Sequence, residues 1–311
     1  MPAIKPALSD EQVITLLQEH FPTPLEHLTV INSGQIAQTY SFTAGGQEYI
    51  VRFNRDNMGA NFPKEAFIAG RITSPRIPIP RVVHIGRFQE LHYSITVKVP
   101  GRPLDQLPAA EYARLLPEVI RTLDAIHHID VSNWPPRYGV FDDHGVGLSA
   151  SWRSYLTSIR DEEEDWNFYG KWHTLFDTTF LERDVFDSVY NEMSRLLDRC
   201  PEERNLLHGC YGFSNVIAHE GSITGVLDWI DAKYGDFVYD IAWLDFWAPE
   251  AQHGELFRHY YARQGISVPA YGERLRCYQC YIGMDALRFA AKSNQPNAYR
   301  WSHKRIFELI S

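Results

Sequence analysis

At 311 residues, with 44% apolar and 22% charged side chains, the chain can bury a core of two-lobe size and has the balance of a soluble globular protein. A formal net charge of −9 argues against nucleic acid as partner and suits a cationic small molecule. No run of about 18 uncharged apolar residues predicts a membrane span, and MPAIKPALSDEQ lacks the apolar core of a secretory signal, so a cytoplasmic location is expected.

In chain order, SDEQVITLLQEH (9–20) predicts a capped helix. Ser9 or Asp10 stands at the N-cap, and Val13, Leu16 and Leu17 share one face. LTVINSG, QTYSFTAGGQEYIVRFN and LHYSITVKV alternate in the manner of antiparallel strands, with the amphipathic FPKEAFIAGRI among them. IPIPRVVHIG places two prolines ahead of a strand as an extended lead-in. Residues 1–97 thus read as a small β-rich lobe with one crossing helix. Proline and glycine punctuate VPGRPLDQL (99–107). AEYARLLPEVIRTLDAIHHID then has helical spacing interrupted at Pro117, and residues 98–311 read as a larger, mostly helical lobe, except around 205–230.

RDEEED (160–165) reads as a solvated charge run. Four cysteines (Cys200, Cys210, Cys277, Cys280) are too few and too scattered for a disulfide framework. Cys277 and Cys280 form a C-x-x-C in RLRCYQCYIGMDALRF. With no second Cys or His pair beside them, they read as helix packing.

The chemistry concentrates in LLHGCYGFSNV (206–216) and the following GVLDW. The spacing is that of a kinase catalytic loop, H-x-D-x-x-x-x-N, with a downstream Asp as second metal ligand. His208, Asn215 and Asp228 occupy three of those positions, and Cys210 occupies the place of the Asp. NVIAHEGSITGVLDW predicts a β-hairpin turning at Glu220-Gly221. That register would set Asn215 opposite Val226 and bring Asp228 to the same face. An amide oxygen and a carboxylate together are hard ligands suited to Mg²⁺ bridging nucleotide phosphates. His208, after two leucines, should be buried and structural. The aromatics Trp229, Tyr234, Phe237, Tyr239 and Trp243 read as core.

In the small lobe, Arg52 in EYIVRFN occupies the strand position of a phosphate-pairing Lys, and Glu65 in FPKEAFI could be its helix partner. A guanidinium can grip phosphate oxygens and a carboxylate together. The turn NSGQIAQTY (32–40), with its single Gly34, is the candidate phosphate cover.

Together these residues resemble the aminoglycoside phosphotransferase family, small-molecule kinases of protein-kinase-like fold. The likeness extends to GGQEYIVRFN, SWRSYL, CPEERNLLHG, ITGVLDWIDAKYGD and YIGMDAL, and so covers most of the chain. It implies an α+β fold, with lobes 1–97 and 98–311 joined by a hinge at about 96–101. It implies ATP, or GTP in its place, between the lobes, with the base against Thr96, Val97 and Val99 of the hinge. Mg²⁺ would sit on Asn215 and Asp228, and the phosphates on Arg52 and Glu65. The acceptor would be a cationic small molecule, since protonated amines favour carboxylates. Candidate partners are the 161–165 carboxylates, Asp231 and Asp285. Asp236 and Asp240 are expected to order the loop after the metal ligand.

Cys210 departs from the family pattern. The usual Asp accepts the acceptor hydroxyl's proton, whereas an ordinary thiol, with a pKa of about 8.5, is a few per cent thiolate at pH 7. A proton acceptor contributes about 10²–10⁴-fold, while positioning and metal electrostatics carry most of phosphoryl transfer. An impaired aminoglycoside or hygromycin-type kinase is therefore expected. The alternatives are a nucleotide-binding pseudokinase, an introduced substrate-trapping replacement, or a kinase of another hydroxylated metabolite. A Cys–His nucleophile is not expected, because His208 should be engaged elsewhere.

Overall fold

The computed structural model describes residues 5–32, 36–55, 62–164 and 168–310. The chain begins with α1 (Asp10–His20), whose start is a capping box: Ser9 Oγ accepts from Gln12 N, and Gln12 Oε1 accepts from Ser9 N. Strands β1 (Leu25–Ile31), β2 (Gln38–Ala44) and β3 (Gln47–Arg55) lead to α2 (Phe62–Ala69), then to β4 (Val82–Phe88) and β5 (Leu91–Val97). After β6 (Arg102–Pro103) comes α3 (Ala109–His127), followed by β7 (Tyr138–Phe141), β8 (Gly147–Ser149), α4 (Trp152–Thr157), α5 (Leu175–Thr178) and α6 (Arg183–Leu196). Strands β9 (Asn205–Leu207), β10 (Val216–His219), β11 (Ser222–Val226) and β12 (Lys233–Gly235) precede α7 (Val238–Trp247), α8 (His253–Arg263), α9 (Tyr271–Lys292) and α10 (Pro296–Ile310).

These elements fall into two compact units: Met1–Val119 with Phe213–Ile230, and Ile120–Gly212 with Asp231–Ser311. In the first, five antiparallel strands run in the order β1-β2-β3-β5-β4. Alternation buries Tyr40 and Phe42 of β2, Val51 and Phe53 of β3, and Tyr93 and Ile95 of β5 against Val13, Leu16 and Leu17 of α1. The hairpin β10–β11 belongs to this unit and pairs with β6.

The second unit is built on α6, α7, α9 and α10, with Trp152, Trp172, Phe186, Met193, Phe246, Tyr278 and Leu287 buried in its core. Cys277 and Cys280 lie in that core, as expected of a packing C-x-x-C, and all four cysteines are free. Burial pushes the Cys280 thiol up to about 12, so it stays protonated near neutrality.

Two expectations are corrected here. The helical reading after residue 98 missed β7, β8 and β12, which with β9 form a four-stranded sheet in the order β8-β7-β12-β9. Strands of three or four residues are too short to show alternation. Pro117 does not interrupt its helix. α3 runs through it, giving up one backbone bond, while Leu115, Val119, Leu123 and Ile126 are buried.

Candidate active site

The boundary between the two units falls inside the motif, after Gly212, so its halves are built separately. In the first unit Arg52 lies on β3 between Thr39 and Ser94 of the flanking strands, and donates to Glu65 of α2. The guanidinium is about a fifth exposed, 21%, and Glu65 is buried at 8%. Burial opposes the charge on Arg52, but Glu65 and then Asp228 more than compensate, so its pKa is raised.

The hairpin turns at Glu220 and Gly221, both with positive φ (48° and 80°), as a two-residue turn requires. Its register differs from the expected one: Val216, not Asn215, faces Val226. A bulge adds one residue near Thr224, whose hydroxyl bonds the Pro100 carbonyl at 2.6 Å. Asn215 instead closes a 3₁₀ turn, and its carbonyl accepts from Leu227 N at 2.8 Å. Asp228 follows at once, with φ 59°, a left-handed conformation that Asp tolerates better than most residues. The two candidate metal ligands are therefore neighbours, by a route other than strand pairing.

Of the hinge residues, Thr96 is buried in β5 opposite Ile50, and Val97 N donates to Arg81 O at 2.9 Å. Val99 packs on Gly225 of β11, where a Cβ would come within 2.7 Å of it. Gly34 lies outside the described residues.

In the second unit His208 follows β9 and is fully buried. The loop is hung from Asp240 of α7. Oδ2 accepts from His208 N (2.8 Å) and His127 Nε2 (3.0 Å), and Oδ1 accepts from Gly209 N (2.8 Å). Burial alone would push this carboxyl up. The His127 ring and the His208 amide outweigh it and hold Asp240 below the ordinary carboxylate range. Asp240 was expected to order the loop after the metal ligand; it orders the one before. Asp236 does order the loop after it, its Oδ1 accepting from Val238 N at 3.1 Å, and it also accepts from Arg274 Nε at 2.8 Å and from Tyr278 on α9.

Cys210 is 8% exposed, with its own N–H 3.4 Å and its Sγ 3.7 Å from His208 Nδ1. The absence of a Cys–His approach, expected from the sequence, is thus corrected. Because Nδ1 faces the Cys210 amide, the ring serves the backbone as well as the thiol.

Gly209 has φ 89°, and a Cβ there would sit 2.2 Å from the Asp231 carbonyl oxygen. Both facts demand glycine. Gly209→Ala is expected to lower the unfolding midpoint, read by circular dichroism, and to cost at least about 2 kcal/mol.

A cavity of about 350 Å³ opens in this unit beside Gly209 and Asp231, lined also by Tyr155, Glu163, Tyr169, Lys233, Tyr239, Trp243, Tyr281, Asp285 and Arg288. Tyr239 and Trp243, expected as core, are therefore also cavity walls. Asp285 accepts from Tyr169 (3.0 Å) and pairs with Arg288 (2.9 Å), whose guanidinium stacks 3.5 Å from the Tyr169 ring centroid. Glu163 lies 3.9 Å from Arg288, and burial raises its pKa. Asp231 is exposed. Asp165, the last of the candidate 161–165 carboxylates, lies outside the described residues.

Arg288, Lys233, Arg274 and His127 were not identified from the sequence. Arg274 shares one helical face with Cys277, Tyr278 and Tyr281, a spacing that could have revealed it. Lys233 carries no such signal.

Residues 27–277 match the model of APH, the phosphotransferase enzyme family. The chain is 33% identical to hygromycin-B 4-O-kinase of Escherichia coli over 310 residues, 98% of this chain and 86% of that protein. A thermostable mutant of aminoglycoside phosphotransferase APH(4)-Ia, solved as a ternary complex with AMP-PNP and hygromycin B, superposes with a TM-score of 0.83 at 28% identity, covering 96% of this chain and 98% of that one. A fructosamine-3-kinase-like structure from Haemophilus somnus 129PT shares the fold at 18% identity and TM-score 0.65, covering 97% of each chain. With its antiparallel N-terminal sheet and helical C-terminal part, the chain belongs to the APH phosphotransferase enzyme family, of protein-kinase-like fold.

Proposed function

We propose that the chain binds Mg-ATP and transfers, slowly, a phosphoryl group to a hydroxyl of a small amine-bearing acceptor of the aminoglycoside or hygromycin kind. The observation that carries this reading is a pair of contacts in the first unit, Arg52 with Glu65 and Asn215 with the residue preceding Asp228, with Asp228 near enough to Arg52 to help raise its pKa. Arg52 would hold phosphate oxygens while Glu65 fixes its orientation. Thr96, Val97 and Val99 would flank the base.

The donor set suits Mg²⁺: an amide oxygen and a carboxylate, completed by phosphate and water. Among the described residues no group of three or more His, Cys, Asp or Glu side chains converges, which accords with a cation that relies on its nucleotide. When bound, the ion would neutralise charge on the phosphates. In the second unit, Asp231 would receive an amine of the acceptor. Asp285, already matched to Arg288, would shape the cavity instead. Relatives have been solved with AMP-PNP or ADP and hygromycin B, which favours the same ligands here.

Titration calorimetry with AMP-PNP provides the test. Mg²⁺-dependent affinity should fall at least about tenfold in Asp228→Ala, at 1.4 kcal/mol per decade. Equal binding by the variant, or none by the parent chain, would sink the proposal. A second reading, nucleotide binding without transfer, is favoured specifically by Cys210.

A further inference from the structure

Resting on the kinase reading above, we propose that Lys233 is a specificity-determining residue that holds an oxyanion of the phosphoryl acceptor. Among the amine-bearing acceptors of that reading, the preferred one would then also carry an oxyanion. Lys233 sits on β12, opposite Leu207 and Val140, and is only 4% exposed. Its Nζ has one hydrogen-bond acceptor, Tyr239 Oη at 3.3 Å, and lies 4.5 Å and 5.6 Å from the Tyr239 and Tyr155 ring centroids. An ammonium carries three donors, and this one makes no ion pair among the described residues. Burying an ammonium without full pairing is costly, so its remaining donors call for an oxygen from the cavity it lines.

The charges around it sort themselves. Arg288 is matched by Asp285 and faces Glu163. That leaves exposed Asp231 and buried Lys233, two residues apart in sequence and both on the cavity wall, as the charges without an ionic partner among the described residues. A cavity with one negative and one positive group to offer suits a ligand bearing one amine and one oxyanion. A polycation would meet Lys233 as a like charge.

Two probes separate these chemistries: D-glucosaminate, with an amine, hydroxyls and a carboxylate, and D-glucosamine, which lacks the oxyanion. In calorimetry or saturation-transfer NMR on the full chain, glucosaminate should bind about 10–100-fold more tightly, the worth of a charge-assisted hydrogen bond. Lys233→Met should remove that preference while AMP-PNP affinity and the unfolding midpoint stay near those of the parent chain. Equal affinity for the two probes would overturn the proposal. So would absent glucosaminate binding, or a preference unchanged in Lys233→Met. Loss of AMP-PNP binding by the parent chain would instead overturn the kinase reading, so the two failures are distinguishable.

Discussion

Cys210→Asp is expected to raise kcat by about 10²–10⁴-fold with Mg-ATP and an aminocyclitol panel that includes hygromycin B, the range typical of a placed proton acceptor. The KM for ATP should hardly move, because Arg52, Glu65, Asn215 and Asp228 belong to the other unit. The loop should accept the new side chain, since Asp240 holds His208 and Gly209 through their backbone N–H groups. Steady-state phosphate transfer by both forms is the measurement. Turnover by the Asp form alone would assign the parent chain to nucleotide binding or substrate trapping. Equal turnover by the two would mean that the thiol, or positioning by itself, suffices, and the expected impairment would be wrong.

Asp240→Ala should be the most damaging single change to stability. It would leave two buried backbone N–H groups and the His127 ring without their carboxylate, at about 3–5 kcal/mol. For a unit of this size that lowers the melting temperature by about 6–20 °C, read by differential scanning calorimetry. Asp240→Asn, keeping one acceptor oxygen, should fall between. The pH dependence has a definite sign. Asp240 titrates lower in the folded chain than in the unfolded one, so its contribution is present above the unfolded carboxylate value, about 3.9, and fades as pH falls through the lower folded value. The stability gap between parent and Asp240→Ala should therefore narrow below about pH 4. A gap that stayed constant into strong acid would show that the carboxylate charge is not what matters.

Much of the first unit was legible because its signals are local. The Ser9 capping box, the alternation of β2, β3 and β5, and the Glu220-Gly221 turn each depend on residues close in sequence. The hairpin register was not legible, because the bulge at Thr224 is accompanied by a bond to the carbonyl of Pro100, far away in sequence. The same holds for the loop at 208–210. Its anchor, Asp240, was seen as a loop-ordering residue but assigned to the wrong loop, since nothing local says which backbone it meets. The Arg52–Glu65 contact could be anticipated from a strand and a helix whose spacing matched a known pattern. Lys233 could not, because a lysine between buried Ala232 and Tyr234 looks like any strand residue until its burial is seen.

The suspension of residues 208 and 209 from α7 bears on how such a chain can diverge. The anchor grips main-chain amides of the loop, so much of the segment's shape is written in α7 and not in the side chain at 210. Position 210 is then a socket whose occupant can change while the surrounding architecture persists. A lineage could lose a proton acceptor there, drift as a binder, and regain chemistry by a single replacement, without having to rediscover the fold.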